Sequence, residues 1–78
     1  MLANLNKTEA LWLLNTYQPK MGGTINQSTI SMYTKAINLM RGTNSSNPTC
    51  GCQYKTQAQI AKSLFEQYKT DIETIANG

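Results

Sequence analysis

The stretch from Thr56 to Gly78 constrains the fold more than any other. Counted from Ala61, apolar residues fall at Leu64, Phe65, Tyr68, Ile72, Ile75 and Ala76. Steps of three, one, three, four, three and one trace a single stripe along a helix and cannot be laid on one face of a strand. Lys62, Gln67, Lys69, Asp71 and Glu73 occupy the remaining positions, as a solvated face requires. The pattern predicts a helix over about 56–76, roughly 30 Å long at about 1.5 Å per residue. The rest of the chain must cover its stripe.

Two shorter helices are predicted upstream. Asn6 with Glu9 three residues on forms a capping-box pattern, and Ala10, Leu11, Leu13, Leu14 and Tyr17 make a wide apolar arc that leaves Trp12 aside. Pro19 disfavours helical geometry at Gln18 and supplies no N–H, so the first helix is expected over 6–18. After the turn at Lys20-Met21-Gly22-Gly23, Asn26 or Ser28 caps a second helix whose stripe is Ile30, Tyr33, Ile37 and Met40. Gly42 follows Arg41 as a stop signal, placing this helix over about 27–41. The segment 43–49 has no large apolar residue and reads as a loop. Asn47 and Pro48 offer an early start for the last helix, and Thr56 a later one that Gly51 favours. No stretch alternates with a period of two. The expected fold is all-α: a single three-helix domain over 1–78 with a long C-terminal helix.

A chain of 78 residues buries only about 60–65 % of the surface its unfolded form exposes, and small domains of this kind add a staple. With two cysteines and no histidine, the expected staple is a second copy of the chain. The long helix should overhang its shorter partners, leaving Leu64, Tyr68, Ile72 and Ile75 to meet that copy or another protein. Thus a homo-oligomer is expected.

Cys50-Gly51-Cys52 admits three readings. The cysteines pack as small apolar residues at the helix entrance, they share a metal across a dimer axis, or they take part in disulfide or redox chemistry. A single intervening residue is a poor match to zinc-site spacing, so no metal is assigned. The N-terminus carries no basic, long apolar leader, and the longest apolar run, Ala10 to Leu14, is far short of a membrane span. A cytoplasmic setting with both thiols free is the expectation.

Lys20-Met21-Gly22-Gly23-Thr24, ahead of the Asn26 cap, is the best candidate for an anion nest. It lacks the spacing of a P-loop. Arg41, Lys55 and Lys62 can form a second basic patch, with Tyr54 offering a ring for stacking. The net charge of +3, on only 14 % charged residues, is thin for a duplex-DNA binder, and the interhelical junctions are too long for a helix-turn-helix. Glu9, Glu66, Asp71 and Glu73 form no obvious catalytic pair, and no hydroxyl has a recognisable activating base. No catalytic residue and no cofactor is therefore assigned, and the chain is expected not to be an enzyme.

The segment Thr29-Ile30-Ser31-Met32-Tyr33-Thr34-Lys35-Ala36, through Gly42 to Cys50-Gly51-Cys52-Gln53-Tyr54-Lys55, resembles short Asn/Thr-rich proteins of tailed bacteriophages and prophages. The likeness covers about half of the chain and carries no motif that transfers a residue's role. It implies two roles for a small helical oligomer. One is a sponge for nucleotide immune signals, as in the helical anti-CBASS and anti-Thoeris proteins; the other is a virion or assembly accessory. The resulting expectation is a non-catalytic protein binding a small nucleotide-like anion through Lys20, Gly22, Gly23, Arg41, Tyr54 and Lys55. A phage structural module docking through the C-terminal stripe comes second, and weak nucleic-acid binding third.

Overall fold

The computed structural model describes residues 5–21 and 23–78. It is all-helical, with three helical rods: α1 over 7–20, α2 over Ile30–Arg41 and α3 over Tyr54–Asn77. At about 1.5 Å per residue the 24 residues of α3 span about 36 Å, which accounts for the long axis of 37 Å. Both other helices pack on α3, α2 the more extensively.

α1 begins as the sequence predicts. Asn6 Oδ1 accepts from the Glu9 N–H at 2.8 Å, and Glu9 Oε1 accepts from the Asn6 N–H at 3.1 Å, completing the capping box. Its course then departs from expectation. After Lys7–Trp12 the helix widens into a π turn over Leu13–Tyr17, and returns to α geometry over Gln18–Lys20. The Gln18 N–H reaches back five residues to the Leu13 carbonyl. Pro19 therefore does not end the helix at 18. A proline ring inside an α-helix collides with the carbonyl four residues earlier, and the wider turn just before Pro19 moves that carbonyl aside. The same widening brings residues five apart onto one face. Trp12 and Tyr17 stack at 6.3 Å between centroids and 18° between planes, so Trp12 packs against the core rather than lying off the arc. Leu11 is left on the outside, 38 % exposed.

The turn into α2 is built by side chains. Asn26 Oδ1 accepts from the Ser28 N–H at 2.9 Å and the Thr29 N–H at 3.1 Å, while Thr29 Oγ1 donates to the Thr24 carbonyl at 2.9 Å. The expected start near residue 27 is corrected: 27–29 form a turn organised by Asn26, and the α-helix begins at Ile30 with Thr29, rather than Asn26 or Ser28, at its N-cap position and no side-chain cap bond. α2 ends at Gly42 in left-handed geometry (φ 69°, ψ 32°), where the Thr43 N–H donates back to the Asn38 carbonyl at 3.0 Å. Asn38 also orders the following loop. Its Nδ2 donates to the Ser45 carbonyl at 2.9 Å, and its Oδ1 accepts from the Ser45 N–H at 3.0 Å and the Thr43 hydroxyl at 2.9 Å.

Asn47 and Pro48 do not open a helix, and Thr56 is not a cap. A 3₁₀ turn over Gly51–Gln53 feeds directly into α3 at Tyr54. Cys50 and Cys52 are joined by a disulfide, which replaces the free thiols expected from the sequence. Both residues are exposed, so neither packs as a core residue.

Tyr17, Tyr33, Phe65, Leu13 and Ile72 are the largest fully buried side chains. Tyr17 sits among the others edge-on: its ring lies 6.0 Å from Tyr33 at 89° and 5.5 Å from Phe65 at 63°. Each helix supplies one of these three rings. The core is consequently an aromatic junction, backed by Ala36, Ala58 and Ala61, whose small side chains allow close approach of α2 and α3. Thr34 is buried beside it and accepts from Gln57 Nε2 at 3.3 Å, the polar link between α2 and α3.

Candidate functional site: a basic face on α2 and α3

Of the donors expected around Lys20, the Gly23 N–H is already engaged: it donates to the Lys20 carbonyl at 3.1 Å and is not free for an anion. The Ser28 and Thr29 N–H groups ahead of α2 are taken by the Asn26 side chain. Lys20 and Gly23 are exposed and line none of the hollows described below, and Gly22 lies outside the described residues.

The second basic patch is better assembled. A small hollow of about 130 Å³ is lined by Ile25, Tyr33, Ala58, Gln59 and the two lysines Lys55 and Lys62. A neighbouring groove of about 360 Å³ includes Arg41, Thr56, Gln59, Ser63 and Gln67. Gln59 lines both, which makes them adjacent on one face of α3. Three cations thus flank the first half of the long helix, and no acidic residue lines either hollow. Lys62, expected in this patch, is there; Tyr54 is half-buried and lines neither hollow, so the ring expected for stacking is not brought to them.

Electrostatics along α3 run against its own dipole. A helix favours acids in the first turn and bases in the last, each worth about 0.3–1 kcal/mol at an exposed site. Here the first turn has no acid and the last no base. Lys55 and Lys62 stand in the first half, whereas Glu66, Asp71 and Glu73 stand in the second. The positive end of the helix and Lys55 in its first turn therefore reinforce one another, which costs stability, while Lys62 two turns on adds its own charge beside the hollow.

Tyr33 forms part of the hollow's wall, is 1 % exposed, and its hydroxyl has no hydrogen-bond partner among the described residues. Such a group is costly when left alone, and its oxygen, having almost no accessible surface, is not presented to the hollow. Tyr17, deeper in, has the same unpartnered hydroxyl; burial first, and then the neighbouring Tyr33 phenol, push its ionisation well above the ordinary tyrosine range.

A larger polar trough of about 690 Å³ lies between α2 and the 42–47 loop, with Glu9, Thr34, Lys35 and Asn38 among its lining. Its charged groups are already engaged: Lys35 Nζ stands 4.3 Å over the Trp12 ring, and Glu9 is held in the capping box. The Asn38 amide is likewise committed to the loop.

The stripe expected to dock a partner is largely spent inside the chain. Ile72 has no accessible surface, and Leu64, Tyr68 and Ile75 are half-buried against the core. Within α1 it is the stretch 7–17 that packs on α3, while Pro19 and Lys20 are exposed. No helix among the described residues is long and apolar enough to cross a membrane, and no cluster of three metal-ligating side chains is present among them. Comparison with family models, curated proteins and solved structures finds no match for this chain.

Proposed function

We propose that this is a non-catalytic binding protein for a small nucleotide-like anion, held on the basic face of α2 and α3. The observation that carries the reading is the pairing of an apolar hollow with a cationic rim: Ile25, Tyr33 and Ala58 below, Lys55 and Lys62 above, and Arg41 in the adjoining groove. An apolar cavity of about 150 Å³ accommodates benzene, so about 130 Å³ suits one flat ring of a ligand. The ring displaces solvent from the hollow while the anionic part meets the lysines and arginine, and Gln59 supplies amide hydrogen bonds between the two. Binding of this kind needs no activating base.

Isothermal titration calorimetry with mononucleotides and cyclic nucleotides tests the proposal. The expected result is saturable binding at a fixed stoichiometry, lost in Lys55→Glu/Lys62→Glu while Lys20→Glu binds normally. Absence of heat with every nucleotide, or equal loss in the Lys20→Glu protein, refutes this placement. Native mass spectrometry of the same samples measures whether the ligand is held by one chain or by an oligomer.

A further inference from the structure

We propose a second activity, independent of the basic face: the Cys50–Cys52 disulfide is a redox-active centre that exchanges with dithiols of other polypeptides. A disulfide can act as a staple or as a reagent, and the position of this one argues against a staple. It joins residues only two apart, so it withdraws little loop entropy from the unfolded chain. It ties no two helices together. The start of the preceding loop is held by Asn38 at Thr43 and Ser45, and α3 is fixed by its own hydrogen-bond ladder and its core residues.

Its surroundings favour exchange. Both cysteines are exposed, and a Cβ placed at the intervening Gly51 would meet nothing within 4 Å, so the turn that carries the disulfide stands clear of the rest of the fold. The pair lies at the positive end of a 24-residue helix through the Gly51–Gln53 turn, with no acid in the first turn and Lys55 close behind. The Cys52 N–H points at Cys50 Sγ, 3.4 Å away, and hydrogen-bonds to it. Negative charge arising on Cys50 Sγ is therefore met directly by an amide donor, which makes Cys50 the better leaving group.

The exchange follows from this asymmetry. A thiolate of the partner attacks Cys52 Sγ, the S–S bond breaks, and its electron pair leaves on Cys50 Sγ. The partner's second thiolate then attacks its own sulfur in the mixed disulfide and expels Cys52 as a thiolate. One S–S bond is broken and one formed. The partner dithiol loses two electrons and is oxidised to a disulfide, while Cys50 and Cys52 are reduced and take up two protons, balancing those lost by the partner's thiols. Neither cysteine lines any of the three hollows described above, and both are exposed, which suits an unfolded or extended polypeptide as the dithiol.

The test uses full-length protein oxidised with diamide and reduced ribonuclease as the dithiol probe, mixed without air and quenched with acid. Disulfide should transfer to the ribonuclease at least about tenfold faster than from oxidised glutathione at the same disulfide concentration. With a simple monothiol, peptide mapping should find the adduct on Cys52, and Cys50→Ser/Cys52→Ser should transfer nothing while keeping its helical circular dichroism. A transfer rate equal to that of glutathione overturns the proposal. So does a disulfide that resists excess dithiothreitol in the folded protein, or a pair that diamide fails to oxidise.

Discussion

Replacing Tyr17 by Phe removes one oxygen from the centre of the aromatic junction and leaves every ring in place. The Tyr17 side chain is fully buried and its hydroxyl has no partner among the described residues, so in the wild-type chain that group has given up solvent and gained nothing. A buried hydroxyl without a partner costs about 1–3 kcal/mol, against a smaller loss from the space one oxygen vacates. The expected net effect is a gain of about 1 kcal/mol, which in a domain of this size raises Tm by about 4–8 °C. Thermal and urea unfolding followed by circular dichroism measure it directly. The same group also links stability to pH. Its ionisation is raised in the folded state by burial and by Tyr33, so below the ordinary tyrosine value of 10.0 both states keep the proton. Above that value the unfolded chain releases it and the folded chain does not, and stability falls by up to about 1.4 kcal/mol per pH unit. Tyr17→Phe should lack this component, so its advantage over wild type should widen between about pH 9 and about pH 11. A Tyr17→Phe protein that is less stable at neutral pH refutes the reasoning: the hydroxyl would then have a hydrogen-bond partner, a bound water or a neighbouring group.

Other substitutions test separate parts of the fold. Asn38→Ala removes the side chain that holds the Ser45 amide and carbonyl; it should cost about 1 kcal/mol and speed hydrogen exchange at the Ser45 N–H specifically. Gly42→Ala forces a Cβ into left-handed geometry at φ 69° and should cost about 1–2 kcal/mol in urea unfolding. Lys35→Met removes the ammonium 4.3 Å above Trp12; the expected loss is about 0.5–1 kcal/mol, with a change in tryptophan emission that reports the lost contact.

The long C-terminal helix, the capping box at Asn6 and the stop at Gly42 were legible because each depends on residues close in sequence. The π turn was not. Pro19 read alone ends a helix, and only the five-residue reach of the Gln18 N–H shows how the chain continues through it. That single departure also brings Trp12 into register with Tyr17, on which it stacks. Arg41, Lys55 and Lys62 could be named as a patch from charge alone, but the shared wall at Gln59 depends on how α2 crosses α3. The described donors around Lys20 are engaged for a local reason. The Asn26 side chain and the Lys20 carbonyl compete for the same N–H groups that an anion would need, and both are covalently nearer.

The π turn has a consequence for how this sequence can change over generations. It holds an extra residue that an α-helix of the same rise would not, and Pro19 is tolerated because that residue is there. Loss of one codon between Leu13 and Tyr17 would close the turn and drive the proline ring into the chain. Replacement of Pro19 alone would leave a bulge with no steric reason to persist. Extra residue and proline are in this sense coupled: a change at either removes the steric reason for the other, and the Trp12–Tyr17 stack depends on the spacing they set.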